Sequence, residues 1–298
     1  MIELMQKPYL YWIYLFFERL SHIIPDRLYL KIIYRIRMGK KLNIDSPQTL
    51  NEKLQWLKLY DRNVQYTEMV DKYEMKRYVS KVLGSDEYTV PVYGVWNRFD
   101  DIDFETLPNR FVLKCTHNSG CYVVCSCKDM FDRREAKKKL EKGLKRNYYW
   151  GNREWPYRDV KPRILAEKFE DSIGKDDSFE YKMTCFNGRT VFGTICKGPA
   201  HVKLKERSND FYDRDFSFLP FEVFNKNSLE PIEEKPVFWD ELIRISDMIS
   251  KETKYLRVDF YVINGKPIIG ELTFFTWGGF IKFNPEEWDY KLGQMLTI

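Results

Sequence analysis

No run in this chain of 298 residues is long and apolar enough to cross a bilayer. The nearest, Tyr9 to Leu20, is too short and closes on Glu18 and Arg19. No small-residue cleavage site follows it, so it does not read as a secretion signal either. Excess charge is also missing. A net +5 falls well short of what argues for nucleic acid, and no nucleic-acid partner is expected. The six cysteines lack metal-site spacing, since Cys121, Cys125 and Cys127 match no common zinc pattern. Without a secretion signal they are expected as buried free thiols in a reducing cytosol. Internal repeats, low-complexity runs and Pro/Ser linkers are absent as well. What is left is an ordinary globular composition, 44% hydrophobic and 31% charged, long enough for two lobes or one large domain. Aromatics are abundant at 16%, which suits deep cores and sugar- or nucleotide-stacking surfaces alike.

The most informative stretch is Tyr255 to Phe274. Two strand-forming runs flank Asn264-Gly265, a dipeptide suited to a tight two-residue hairpin turn. Arg257 and Asp259 share one sheet face, as do Glu271 and Thr273. Folding at Asn264-Gly265 brings Asp259 close to Glu271. Like charges so placed repel and usually need a cation, and two carboxylates with water and phosphate oxygens suit Mg²⁺. Two solvated carboxylates on an exposed sheet face would give the same spacing.

Elsewhere the pattern alternates helices with hairpins. Residues 1–45 hold two apolar runs, Tyr9–Leu20 and Leu28–Ile36, the second interleaved with Arg27, Lys31, Arg35, Arg37, Lys40 and Lys41. An amphipathic hairpin on an anionic membrane face would look like this, and so would two helices packed on the body. A helix start is read between Ser46 and Trp56 with Ser or Thr capping, and a second helix over Tyr66–Leu83 ending at Gly84. Extended pieces follow at Tyr88–Tyr93, Arg110–Cys115 and Tyr122–Cys125, then a basic helix over Asp132–Asn147. Arg163–Phe169 reads as a buried strand, Phe179–Cys196 as a second hairpin turning at Asn187-Gly188, and Phe238–Thr253 as a helix. The polar segment Lys197–Arg214 is expected to be a mobile loop. Hairpins separated by helices predict an α+β fold with antiparallel sheets.

Polar residues cluster at strand ends in a definite order: Lys114, the loop His117-Asn118-Ser119-Gly120, Glu167-Lys168, Glu180 and Lys182, then Arg257, Asp259 and Glu271. That order resembles the ATP-grasp superfamily. More closely, LNEKLQWLKLYDRN, VDKYEMKRYV, FVLKCTHNSG, REWPY, PRILAEKFED, YKMTCFNG, FYDRDFSFLPF, RVDFYVINGK, IGELTF and PEEWDYKLG resemble the TupA-like ATP-grasp family, linked to teichuronopeptide, capsule and other bacterial surface-polysaccharide biosynthesis. The resemblance runs from about Leu50 to the C-terminus.

It implies two lobes whose antiparallel sheets clamp ATP, preceded by a helical segment. The segment would cover residues 1–45, the lead-in and first lobe 46–165, and the second lobe 166–298. It also implies roles. Lys114 would hold the α- and β-phosphates, and His117, Asn118, Ser119 and Gly120 would cover the β- and γ-phosphates. Glu167, Lys168 and Phe169 would meet adenine, and Glu180 the ribose. Lys182 would reach a phosphate or the acyl substrate, and Arg257 would steady the acyl phosphate. Asp259, Glu271 and Thr273 would ligate Mg²⁺. His117 is read as a donor rather than a general base, with a loop-capping role as the alternative. Cys121 stands where relatives commonly carry a second glycine, and Thr273 where many have Asn. Gly278-Gly279 falls at a small-residue turn near the acyl group.

The implied reaction joins a carboxylate, from a glycan or another acid, to an amine or amino acid, using ATP and Mg²⁺. It would run in the cytoplasm, either free or peripheral to the inner membrane face. Two rival readings are a glycosyltransferase of the same pathway and a non-catalytic nucleotide-binding scaffold. The first lacks an Asp-x-Asp motif at a strand end, since Asp213-Arg214-Asp215 sits in a polar stretch.

Overall fold

The computed structural model describes residues 21–173, 179–198 and 207–298. The chain opens with helix α1 (Asp26–Met38), then α2 (Leu50–Tyr60), α3 (Gln65–Val70) and α4 (Glu74–Leu83). A four-stranded sheet follows, built from β1 (Val92–Trp96), β2 (Phe111–Cys115), β3 (Tyr122–Cys125) and β4 (Ile164–Lys168) in the order β1-β4-β2-β3. Helix α5 (Arg133–Leu144) packs on it, burying Ala136 and Leu140 against Phe111, Leu113, Ile164 and Ala166. The larger sheet has the order β10-β9-β5-β6-β7, from β5 (Phe179–Phe186), β6 (Arg189–Lys197), β7 (Ser208–Asp213), β9 (Tyr255–Ile263) and β10 (Lys266–Thr273). β8 (Glu222–Val223) and β11 (Phe283–Asn284) form a short separate ladder. Every one of these ladders is antiparallel, as the hairpin pattern predicts.

Alternation sorts the larger sheet into two faces. Its back carries Met183, Ile195, Val258 and Phe260, covered by α6 (Trp239–Ser250) through Trp239, Leu242, Ile245 and Ile249. Each such side chain contributes roughly 1.5–3 kcal/mol relative to exposure. Gly193 admits the Trp239 ring, because a Cβ there would sit 2.3 Å from it. Both Asn-Gly turns form as expected, with positive φ at Asn187, Gly188, Asn264 and Gly265, the requirement of a type I′ turn.

Three expectations need correcting. The helix over Tyr66–Leu83 is broken into α3 and α4, because Asp71 accepts from the N–H groups of Tyr73 and Glu74 and so starts a new helix. The Asp-x-x-Glu spacing of Asp71 and Glu74 is the signal for that break. The loop expected over Lys197–Arg214 is strand at Lys197 and over Ser208–Asp213. Lys197 ends β6, and Ser208–Asp213 pairs with it as β7, the alternation hidden by charged neighbours. Residues 199–206 lie outside the described part. Third, the extended piece expected at Tyr88–Tyr93 starts later, at Val92, after a 3₁₀ turn over Asp86–Tyr88.

The cap of α2 is Thr49, in a reciprocal capping box with Glu52. The run Tyr9–Leu20 lies outside the described residues. Helix α1 packs its apolar side, Tyr29, Leu30, Ile33 and Tyr34, against Leu42, Ile44 and Phe280, while Arg27, Lys31 and Arg35 face solvent. No described helix is long and apolar enough to cross a membrane. Tyr29 donates to Gly151 O and Arg37 to Asn152, tying the helix to the body.

Candidate active site

The front face of the larger sheet is polar, and its register can be read as rows. One row runs Glu271, Asp259, Lys182, Thr194, Phe211 across β10, β9, β5, β6 and β7. The next runs Thr273, Arg257, Thr184, Phe192, Asp213. A third carries Tyr261, Glu180, Cys196 and Asn209. The turn at Asn264-Gly265 alone would pair Asp259 with Gly270, and a bulge between Ile269 and Glu271 shifts the register so that Asp259 lies directly opposite Glu271.

Cations divide these carboxylates among themselves. Arg257 grips Asp259 through two parallel contacts of 2.6 and 2.7 Å, and its second terminal nitrogen lies 3.4 Å from Thr273 Oγ1. Lys182 stands 3.1 Å from Glu180 and 3.7 Å from Asp259. Burial works against its charge, but Asp259, helped by Cys196 and Glu180, outweighs burial and holds the ammonium well above its ordinary value. Lys72, in the break between α3 and α4, lies 3.9 Å from Glu271 and donates to Asn118 O at 2.8 Å. It thus joins the hairpin to the loop after β2. Sequence reading passed over Lys72, because its role depends on where the helix break docks.

The first-lobe residues form a second cluster. Glu167 on β4 is buried between two lysines, 2.7 Å from Lys76 and in direct contact with Lys114. Burial pushes its carboxyl up, but Lys114 and Lys76 outweigh that and hold it below the usual carboxylate range. Lys76 was not anticipated. Helix amphipathicity alone would leave it on a solvated face. Lys168 is half-exposed and paired with Glu170, and its N–H donates to Pro91 O. Phe169 lies under the Arg110 guanidinium, 4.2 Å from the ring centre.

The loop after β2 splits by residue. His117 and Asn118 are buried and face the end of α5, where His117 Nε2 meets the carbonyls of Gly143 and Arg146 and Asn118 donates to Gly143. Two carbonyl neighbours require the proton on Nε2. Burial lowers the His117 pKa, partly offset by those carbonyls, so the ring is neutral. Its Nε2 is a loop anchor, while His117 Nδ1 and Asn118 Oδ1 are buried with no hydrogen-bond partner among the described residues. Ser119 and Gly120 are exposed at the tip, with Gly120 at positive φ in open space. They are the loop residues available to a ligand.

A tight turn closes the site beyond β10. Trp277, Gly278 and Gly279 all take positive φ. A Cβ on Gly279 would lie 2.5 Å from Gln55 and 3.0 Å from Leu54 Cβ, so only glycine fits there. Buried Lys58 donates to Gly278 O and to Gln55, and burial lowers its pKa to about 7, with Glu154 opposing that and Arg37 reinforcing it. Thr276 accepts from Tyr255 at 2.7 Å and lies 3.5 Å from Arg257. The Asp213-Arg214-Asp215 motif is used structurally. Asp213 accepts from the N–H groups of Asp215 and Ser217, and Arg214 pairs with Asp247.

The donor set beside Arg257 is all oxygen, from Asp259, Glu271 and Thr273, which suits a hard divalent cation such as Mg²⁺ with water and phosphate completing the shell. Lys72 and Lys182 flank it.

A family model described as TupA-like ATP-grasp matches residues 52–297. Among solved structures, the D-alanine–D-alanine ligase of Bacillus anthracis complexed with ATP is similar at 18% identity and a TM-score of 0.41, covering 69% of this chain and 54% of that one. The D-alanine–D-alanine ligase of Helicobacter pylori is similar at 16% identity and a TM-score of 0.45, covering 83% and 69%. The ADP complex of N5-carboxyaminoimidazole ribonucleotide synthetase is similar at 12% identity and a TM-score of 0.40, covering 75% and 50%. The chain spans about half the length of the first of these. Among curated proteins none matches.

Proposed function

Since the chain belongs to the TupA-like ATP-grasp family, we propose that it is an ATP-dependent carboxylate–amine ligase. In this reading it forms an amide on a bacterial surface polysaccharide or its precursor, using an amino acid or amine. The observation that carries the reading is the row Glu271, Asp259, Lys182 beside Arg257, with Lys72 bridging that row to the loop after β2.

Each residue has a task its surroundings suit. Lys114 and Lys72 place positive charge where the phosphate chain of ATP would lie, and Ser119 with Gly120 closes over it. Glu167 pairs with Lys114 and Lys76 and fixes both in direction. Lys168 and Phe169 stand at the edge of β4 for the base, and Glu180 projects from the front face for the ribose. Asp259, Glu271 and Thr273 would hold Mg²⁺, which supplies charge neutralisation for the transferred phosphoryl group. Arg257 holds Asp259 in place through its paired contact and would also face the charge on the acyl group. Lys182 follows the same logic from the neighbouring strand. Its position beside Asp259 keeps it protonated and ready to meet the negative charge that develops on transfer.

Placement at the cytoplasmic face of the inner membrane, through residues 1–45, belongs to this proposal. The exposed Arg27, Lys31 and Arg35 of α1 support it.

The test is a melting experiment combined with turnover. ATP with Mg²⁺ should raise the melting temperature and UDP-sugars should not. Glu271→Gln, whose side chain is 35% exposed and meets Lys72 only at 3.9 Å, should abolish ATP turnover with an acid and an amine while keeping the unliganded melting temperature within a few degrees. Stabilisation by UDP-sugars alone would replace this reading with a glycosyl transfer.

A further inference from the structure

Cys115 and Cys121 stand at the two ends of the loop after β2, and no step proposed above uses either. Cys115 closes β2, and Cys121 immediately precedes β3. The register of Lys114 with Tyr122 continues to this pair, because the Cys115 N–H donates to Cys121 O at 2.9 Å. Directly opposite residues bonded in this way have Cα atoms about 5.5 Å apart, inside the range that a disulfide spans. Their side chains also point the same way. The two sulfurs lie 3.1 Å apart, so a bond of about 2.05 Å needs a shift of roughly 1 Å shared between two side chains.

The neighbouring helix accommodates both sulfurs. Cys115 Sγ lies 3.5 Å from Leu140 O and Cys121 Sγ 3.8 Å from Lys139 O, both on α5. Gly143 leaves them room, since a Cβ there would overlap Cys121 Sγ and lie 2.8 Å from Cys115 Sγ. The two thiols differ in access. Cys115 is fully buried, whereas Cys121 is partly exposed beside the exposed Ser119 and Gly120. They differ in acidity as well. The contact with Cys115 lowers the Cys121 thiol to about 7, with burial opposing and Lys139 assisting. The same contact, together with burial, raises Cys115, which keeps its proton. An accessible thiolate against a buried thiol is the arrangement of an attacking and a resolving cysteine.

We propose that Cys115 and Cys121 are a redox-active pair, which a peroxide converts to a disulfide that fixes the loop over residues 116–120 and weakens nucleotide binding. In the first step the Cys121 thiolate attacks a peroxide oxygen, the O–O bond breaks, and hydroxide leaves with the bonding pair. In the second the Cys115 sulfur attacks the resulting sulfenic sulfur, the S–O bond breaks, and the departing hydroxide takes the Cys115 proton. Two thiols are thereby oxidised, and the peroxide is reduced to water. The bond itself does not depend on the ligase reading, whereas its effect on nucleotide rests on that reading. Ser119 and Gly120 stand in solvent, with open space around Gly120. A bridge made on this conformation holds the tip there, and a nucleotide that needs the tip over its phosphates must work against that restraint.

The test uses the full chain, reduced and then exposed to a slight excess of hydrogen peroxide. Trypsin with chymotrypsin releases Cys115–Tyr122, which holds this pair and neither Cys125 nor Cys127. Alkylated without reduction, that peptide should be unlabelled and lighter by two hydrogens, and dithiothreitol should restore both alkylation sites. Amide exchange over residues 116–120 should slow by about fivefold or more in the oxidised chain. The concentration of ATP with Mg²⁺ that gives half the maximal melting shift should rise by about fivefold or more. Cys121→Ser, at the partly exposed position, should show none of these responses to peroxide, and Cys127→Ser should show all of them. A peptide that stays reduced, or Cys121 linked to Cys125 or Cys127, overturns the pair. A bridge that leaves both amide exchange and the ATP response unchanged overturns the switch. If the reduced chain shows no ATP-induced shift at all, the nucleotide reading fails instead, and the peptide mass and amide exchange still decide the bond and its hold on the loop.

Discussion

Replacing Glu167 by glutamine isolates the electrostatics of the first-lobe cluster. The side chains of Glu167 and Lys76 are only 6% and 9% exposed, so neither charge can be rescued by water if the other is removed. Lys114, at 32%, can turn partly to solvent. Breaking a buried pair by removing one partner costs about 3–5 kcal/mol. Glutamine keeps one acceptor oxygen and Lys114 can relax, so the expected loss lies near the lower end, ~3 kcal/mol. The same group has a pH signature. Its folded pKa is depressed below 4.5, so it contributes stability above that value and loses it as the pH falls through the folded pKa. Urea denaturation near neutrality should show the full gap between wild type and Glu167→Gln, and the gap should narrow progressively below about pH 4.5. Lys76→Met combined with Glu167→Gln should cost less than the sum of the single changes, because the double variant leaves no uncompensated buried lysine. A loss under about 1 kcal/mol, or a gap that ignores pH, would refute the claim that Glu167 is an ionised, buried counter-ion.

Two further predictions bear on the site's scaffold. Lys72→Met removes a charge-assisted contact to Asn118 O and the nearest cation to Glu271. It should weaken ATP binding by roughly tenfold or more and speed protease cleavage between 116 and 120, whereas unchanged values for both would dissociate the loop from the hairpin. Gly279→Ala meets both a positive φ and a 2.5 Å approach to Gln55, so it should lower stability by at least about 1–3 kcal/mol in chemical denaturation, and a neutral result would mean the turn can be rebuilt.

The legible parts of the sequence were those governed by local rules. Asn-Gly between alternating runs marks two hairpins and brings Asp259 near Glu271, but the bulge after Ile269 that sets the two directly opposite one another is not written in the turn. The cap at Thr49 and the stop at Gly84 are equally local. What escaped was set by docking. Lys76 and Lys72 lie in helical segments whose orientation is decided by contacts with β4 and the loop after β2. His117 read as a ligand donor because a polar loop suggests exposure, but the loop folds its first half under α5 and only Ser119 and Gly120 stay outside. The alternation in β7 went unread because Asp210 faces inward, where its burial is supported by Ser228 and Lys197.

The rows of the front face also set an order of events for the newborn chain. β5 with β6, and β9 with β10, can each close early as a local hairpin, since each has its own Asn-Gly turn. Lys182 meets Asp259 only across the β5–β9 seam, and the chain between them must first lay down β6, β7, β8 and α6. The reactive row is therefore the product of the most distant pairing in the sheet, the kind whose loop entropy is costly and slow to repay. A half-made chain has two separate polar ribbons and no site. Nucleotide bound at this row, as proposed, would stabilise only molecules in which that seam has closed.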